Sequence, residues 1–561
     1  MDRSAACIGR DMTRALLLCV LTCLPGWAPR LAAYGDAQNL IPELRLDQDA
    51  INAGEVPFET LFHTGMHFYT NRFTPADHYG EAPDGPRMSH QAFPGRPALR
   101  FLRFNGLDAQ TCLECHALAG MASRPEAGSP LMQFPRDPGV PGSAGLAANV
   151  FVLENFPAST AGFIRNPPHN FGLGYVQRLA EEMSLALMSQ RDAALAEAAD
   201  AGATVTVALS AKGISFGTLA AGPDGQLNLE GLEGVSEDLV IRPFQFKGIA
   251  STLRSFVANA MNFHFSVQAR ELLDRGVIPN DNPNGTLPDD PRDELLEGDV
   301  TAVATFVAFV RPPVEMIEPQ YALQAMQGRV VFEQVGCIEC HVPELTIDDP
   351  NLTIEDPREQ LKAYKALRQK GLAAEPPAVP ALVNPEPDGS ILPVVLLYEQ
   401  RRAALAAGKS QPAGLPGYTR NLNLNDGPAE TRPRLPHAED GSIRVPLFSD
   451  LKRHKMGADL ADTLAQGTDS PGVAVPGDEF VTRPLWGVAD TGPWLHDGRA
   501  LTLTDAILMH KGPGSEANEV IENFENLEQD AKDLLHKFLL SLRTPPLEAP
   551  DGNAAEAWRG Y

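Results

Sequence analysis

The chain has 561 residues, with 43% hydrophobic and 21% charged side chains, ordinary for a globular protein and enough for two or three domains. A formal net charge of −26 argues against nucleic acid as a partner, because a phosphate backbone is met by clusters of Lys and Arg that this sequence lacks. The 49 prolines and 48 glycines point to many ordered turns rather than long helices.

Residues 1–33 read as an export signal and place the mature chain in the periplasm. Arg10 and Arg14 precede an apolar run from Ala15 to Leu24, and Ala32 and Ala33 supply small residues for cleavage before Tyr34. No later segment has the roughly 18 uninterrupted apolar residues of a spanning helix, so no membrane-spanning segment is expected in the mature chain.

Seven cysteines then become informative. Cys7, Cys19 and Cys23 leave with the signal, and the other four form two Cys-x-x-Cys pairs, each followed at once by His: Cys112, Cys115 and His116, then Cys337, Cys340 and His341. Two thioether bonds to the vinyl groups of a haem need thiols about one turn apart, and a His at the next position points its imidazole at the iron. Two covalently bound c-type haems are therefore expected. A zinc site shared by both pairs, or two redox disulfides, are the competing readings. The long separation of the pairs and the His after each count against them.

Further elements follow in chain order. An amphipathic helix or helix pair is expected over 178–200, and short strands over 204–243 around the turn at Asp224 and Gly225. After Thr252 a helix places Leu253, Val257, Ala260 and His264 on one face. A closing helix carries Val300, Val303, Phe306, Val307 and Val310 into a stop at Pro312 and Pro313. The segment 345–445 reads as an insertion, with helices over 356–370 and 397–407 and turn-strand signals at Asp388 and Asp440. Thr502 with Asp505 signals a helix start, and Leu503, Ile507 and His510 share its face. A second closing helix, with Leu534, Leu535, Phe538, Leu539 and Leu542, runs into Pro545 and Pro546.

The same plan occurs twice, with Phe104 before Cys112 taken as the counterpart of Gly328 to Phe332 before Cys337. The expected fold is mainly α: two cytochrome c-like haem domains in tandem, 34–313 and 314–561, with loop-rich and short β insertions. His510 is the expected distal ligand of the second iron. Aligned on the glycine and the Thr-Leu pair, His264 falls one turn beyond the counterpart of His510; a rival register matches it to His496. Three roles fit His264: iron ligand, acid/base over an open site, or structural residue. Met261 and His169 are further distal candidates at the first site, whereas Met121 and Met132 read as packing residues. Arg499 reads either as a haem propionate partner or as a solvated surface residue, and His454 and Met456 as weaker ligand candidates.

The haem motifs, the run from Arg483 to Arg499 and the Thr-Leu helix resemble the bacterial di-haem cytochrome c peroxidases and the methylamine-utilisation (MauG) type enzymes. The segments Arg165 to Gly174 and Phe448 to Gly457 resemble the di-haem oxidoreductase branch labelled probable thiol oxidoreductase. The resemblance implies a peroxidase-like enzyme in which electrons enter at the C-terminal haem, from a small redox protein or a quinol-linked donor. A small-molecule oxidant such as peroxide is reduced at the N-terminal haem. It also implies that the helix position holding His510 carries a Met in the peroxidases, and that the distal acid of the first haem is replaced here by His264, the expected catalytic residue. A calcium ion between the domains is compatible with it. The alternative is a di-haem electron carrier with both irons six-coordinate.

Overall fold

The computed structural model describes residues 45–74, 77, 101–103, 110–112, 115–116, 149–153, 160–163, 165–265, 267–274, 293–358, 418–427, 431–432, 434–462, 466–469 and 473–545. The export segment, Phe104, Met121, Met132, Asp388, the helix expected over 397–407 and all but the first three residues of the helix expected over 356–370 lie outside the described residues.

The described chain is mainly helical, with small antiparallel sheets of two or three strands and no barrel. In order the helices are α1 (Gln48–Asn52), α2 (Phe58–Thr70), α3 (Leu173–Ala201), α4 (Leu253–Ala260), α5 (Arg270–Asp274), α6 (Glu297–Phe309), α7 (Ala322–Val335), α8 (Leu503–Leu508), α9 (Asn518–Glu525) and α10 (Gln529–Leu539). The region expected as a helix or helix pair over 178–200 is one continuous helix of 29 residues, α3, bracketed by left-handed glycines at Gly172 and Gly202. The strands Val205–Ala211, Ile214–Ala221 and Leu227–Asn228 form the sheet expected after it, and Asp224 and Gly225 make the second turn.

Two helix crossings organise the two halves. In the first, α2 meets α6 at Gly65, where a side chain would lie 2.0 Å from the Ala302 carbonyl oxygen and 2.8 Å from the Phe306 Cβ. In the second, α7 meets α10 at Gly328, where a side chain would lie 1.9 Å from the Leu534 carbonyl oxygen and 3.0 Å from the Phe538 Cβ. Backbones approach this closely only where a glycine removes the Cβ. Four residues after each glycine an aromatic ring closes the crossing: Tyr69 on Phe306 at 5.1 Å and Phe332 on Phe538 at 5.3 Å. The counterpart of α7 is therefore α2, and the pairing of Phe104 with the segment before Cys337 is corrected. A long interval after α2 hides the match, since residues 71–111 separate α2 from Cys112 whereas Gly336 alone separates α7 from Cys337.

The crossings differ in their surroundings. Every residue of α6 is buried, while α10 buries Leu535, Phe538 and Leu539 and leaves its polar side outward. The extra cover on α6 comes from α3 and from the segment read as an insertion into the second domain. Strands Leu345–Ile347 and Asn351–Glu355 pair with Ile443–Val445 and Tyr418–Asn423. Their apolar side chains, Leu345, Ile347, Leu352, Ile354, Ile443 and Val445, join the core of the first half. The insertion is thus contiguous in sequence with the second motif and packs with the first. The chain stops after α6 and α10 meet as well: Val314 and Glu315 pair with Arg543 and Leu542. No described helix is long and apolar enough to cross a membrane.

Candidate functional site

Each motif histidine closes a turn back onto the first cysteine of its motif, after α2 in the first half and after α7 in the second. The His116 N–H donates to the Cys112 carbonyl at 2.8 Å and the His341 N–H to the Cys337 carbonyl at 2.9 Å. In the first half the Thr111 hydroxyl donates to the Tyr69 carbonyl, which ties the turn to the end of α2. Cys112 and Cys115 pack against the first core and Cys337 against the second, so the two pairs do not converge on one shared metal. All four cysteines are free of disulfides. Burial pushes the Cys112 and Cys337 thiols up to about 12, so neither is a reactive thiolate by itself.

Both motif histidines are oriented by the same device. His116 Nδ1 donates to the Pro168 carbonyl at 2.9 Å, and His341 Nδ1 donates to the Phe448 carbonyl at 3.1 Å. With Nδ1 engaged, each ring keeps Nε2 as its lone-pair nitrogen, the arrangement that a metal-ligating imidazole requires. Burial holds both rings neutral, pushing His116 and His341 down to about 4, and positive charge on His264 or His510 acts in the same direction. Pro168 and Phe448 lie in the segments Arg165 to Gly174 and Phe448 to Gly457. Those two stretches are thus equivalent supports behind the two motif histidines.

The opposite wall is also duplicated up to a point. Phe244 to Ala250 and Trp494 to Ala500 form matching loops, each closed by an antiparallel bridge between its ends. Gln245 and Gly248 match Leu495 and Gly498 in positive φ. Thr252 then caps α4 by accepting from the Ser255 N–H, and Thr502 caps α8 by accepting from the Asp505 N–H. This register pairs Thr252 with Thr502 and Ala260 with His510, and rules out the match of His264 to His496. Past Ala260 the chain widens into a π-helical segment, Met261–Phe265, which carries His264. π segments inside helices are frequent at functional sites because the extra residue re-aims the side chains that follow. His264 follows Ala260 by four residues and so does not stand at the position that His510 holds in the second half.

His510 donates from Nδ1 to the Ala506 carbonyl at 2.6 Å, leaving Nε2 for the space in front of it. That space is a mainly apolar cavity of about 300 Å³ lined by Cys337, Cys340, His341, His510, Phe332 and Ile507, with Asn166, His169 and Phe246 contributed by the first half. The donor set of two cysteines and two carbonyl-anchored histidines around an apolar void fits an axially ligated haem. Asn166 Oδ1, buried on the same wall without a partner among the described residues, leaves an acceptor available to a bound group.

Residues 439–542 match the model of the family described as "Di-haem oxidoreductase, putative peroxidase". No curated protein matches the chain. The match supports a di-haem, peroxidase-like oxidoreductase and implies haem cofactors. It carries nothing specific to the methylamine-utilisation branch. It spans the Phe448 support, His496 and His510, and neither Cys-x-x-Cys-His motif.

Of the other candidates from the sequence, His169, His454 and Met456 line the same cavity, and Arg499 and Met261 do not. Arg499 bonds the Asp497 carboxylate and the Asp459 carbonyl and is absent from the cavity wall, so its partner is protein. His169 accepts from the Phe171 N–H at Nδ1 and donates from Nε2 to the Trp486 carbonyl at 3.0 Å, which leaves no nitrogen for iron. Met261 is buried in the first core. His454 sits between Asp450 at 2.8 Å and Glu516 at 2.7 Å. Burial opposes its charge, but Asp450 and the Cys340 sulfur raise it to about 11. Both ring nitrogens of His454 are taken by carboxylates, and its ligand atoms lie within 4.8 Å of those of Cys340 and Asp450. Met456 borders the cavity.

Sequence reasoning missed the residues that join the halves. Arg165 makes two bonds to Asp462, at 2.9 and 2.7 Å, and Asp462 also meets His496 at 3.3 Å. Lys247 is fully buried and donates to the carbonyls of Pro476 and Glu479. Side chains that pair across hundreds of residues leave no local pattern to read.

Proposed function

We propose that the chain is an exported, periplasmic di-haem oxidoreductase of the peroxidase type, with c-type haems attached at Cys112 and Cys115 and at Cys337 and Cys340. Electrons enter at the His341 site, from a small redox protein or a quinol-linked donor, and a small oxidant such as peroxide is reduced at the His116 site. Two cytochrome c-like domains, 34–313 and 314–561, house the two sites. The observation that carries this reading is the broken repeat: both sites share the anchored proximal histidine, but the position of His510 is held by Ala260 at the first. The calcium ion compatible with the resemblance finds no carboxylate cluster among the described residues and forms no part of the proposal.

A bound haem supplies the redox-active iron, and peroxide reduction consumes two electrons and two protons to give two waters. The chain's part is to hold and move protons around it. His116 and His341, fixed by the Pro168 and Phe448 carbonyls, present Nε2 on the proximal side. His510, fixed by Ala506, closes the second site from the distal side. Ala260 leaves the first site without that closure. There His264, an imidazole on the π segment, transfers a proton between the oxygens of the oxidant.

A second reading, an electron carrier with both irons six-coordinate, draws on the π segment that carries His264, because a π turn could equally deliver a ligand. Spectroscopy of the oxidised and half-reduced protein separates the two. The enzyme reading expects one high-spin or ligand-exchangeable site and peroxide-dependent oxidation of a donor. Two low-spin irons throughout, with no turnover, would refute it.

A further inference from the structure

The supports behind the two motif histidines are joined to each other. From His116, Nδ1–H bonds the Pro168 carbonyl at 2.9 Å, and the Pro168 peptide leads directly into His169. The His169 ring crosses between the halves, Nε2–H to the Trp486 carbonyl at 3.0 Å. One residue back, the Leu485 N–H donates to the Leu447 carbonyl at 3.0 Å. The next peptide is Phe448, whose carbonyl accepts from His341 Nδ1–H at 3.1 Å. Four hydrogen bonds and the covalent segments between them thus connect one proximal imidazole to the other without a gap in bonded atoms.

In this chain of links one side chain alone is neither a motif histidine nor backbone, and that is His169. It is 7% exposed, stacks on Phe171 at a centroid distance of 5.4 Å, and has its tautomer fixed by the Phe171 N–H at Nδ1. Burial, with Arg483 nearby, pushes the ring down to about 3, so it stays neutral and keeps a single N–H, the one aimed at Trp486. Gly487, at φ +82°, makes the turn beside this bond; a side chain there would come within 3.6 Å of Nε2. Trp486 belongs to the second half in sequence and packs in the core of the first, which holds its carbonyl in place.

We propose that His169 is the positioning residue that couples the two motif histidines and carries electron transfer between the two sites. The proposal rests on the di-haem reading above. One electron leaves the reduced site and is gained at the oxidised one, no bond is made or broken, and the Nδ1 protons stay where they are. Tunnelling decays less steeply through bonded atoms than across space, so the continuity of the path is what makes the link matter. Intermediate position alone does not establish coupling, and perturbing the link does.

The test uses the full-length haem-loaded protein. In His169→Phe the stacking ring is kept and the N–H to Trp486 is lost, whereas in His169→Gln an amide donor is retained. After pulse reduction of one site, the rate of electron redistribution should fall about tenfold or more in the Phe variant. The Gln variant should recover to within about threefold of the parent, with the absorption spectrum and potential of each site little changed. An unchanged rate in the Phe variant would overturn the proposal, and so would a Gln variant as slow as Phe, since the ring would then matter only as packing. If the Phe variant does not accumulate as a two-haem protein, His169→Asn, too short to reach Trp486, takes its place. Haem content per chain, measured separately, decides the di-haem reading itself.

Discussion

The first and second sites share their proximal halves and differ in their distal halves. His116 and His341 are hung from the same kind of turn, anchored by the same kind of carbonyl and held neutral by the same burial. Opposite them, two loops and two threonine caps superpose in register until Ala260 stands where His510 would be. The two halves are thus alike behind their motif histidines and differ on the wall opposite them. The surroundings diverge in parallel: α6 is enclosed on every side and α10 on one.

Exchanging the distal residues gives the sharpest test of that asymmetry. His264→Ala should cut peroxide-dependent donor oxidation by about 10²- to 10⁴-fold, the usual contribution of a positioned acid/base, and leave the spectrum of the second site unchanged. His510→Ala should do the reverse, converting the second site's spectrum while the first stays as it was. If each substitution disturbs both spectra equally, the two distal sides are not distinct and the comparison collapses.

A smaller effect is expected at the crossings. Gly65→Ala and Gly328→Ala each drive a methyl into a carbonyl oxygen, at 2.0 and 1.9 Å, and overpacking of this kind costs about 1–3 kcal/mol or more. Because α6 is walled in and α10 can shift toward solvent, the Gly65 variant should lose more stability in denaturant or thermal unfolding. Equal losses would show that the enclosure of α6 has no mechanical consequence.

The smallest effect concerns the seam. Burial works against the Asp462 charge, yet His496 and Arg165 hold its carboxyl down at about 2, below the ordinary 3.8. A carboxyl depressed on folding contributes stability above its unfolded value and loses it as pH falls toward the folded one. Asp462→Asn should therefore lower the melting temperature at neutral pH, and the gap to the parent should narrow between pH 3.8 and about 2. A pH-independent gap would mean that Asp462 acts through packing rather than through charge.

Much of this was legible in the sequence, because the signals were local. The two Cys-x-x-Cys-His segments, the Thr252 and Thr502 caps, the closing helices and the turn at Asp224 and Gly225 depend on residues within a few positions of one another. So did the register that sets Ala260 against His510. The α2 helix was missed although Gly65 and Tyr69 repeat the spacing of Gly328 and Phe332, because the interval to the motif differs so much between the halves. Arg499 read either as a propionate partner or as a surface residue, because a cation beside a His-Asp-Gly turn gives no sign of its bonds to Asp497 and Asp459.

By itself, then, the amino-acid sequence determined the two Cys-x-x-Cys-His segments and the closing helices that frame them, all set by covalent spacing and helical period. Tertiary structure alone decided which carbonyl orients each imidazole, that the 345–445 strands complete the first core, and that His454 is locked between two carboxylates. It also brought His169 onto Trp486. Those contacts join residues far apart in the chain, where the burial and geometry that select a partner exist only after the backbone has folded.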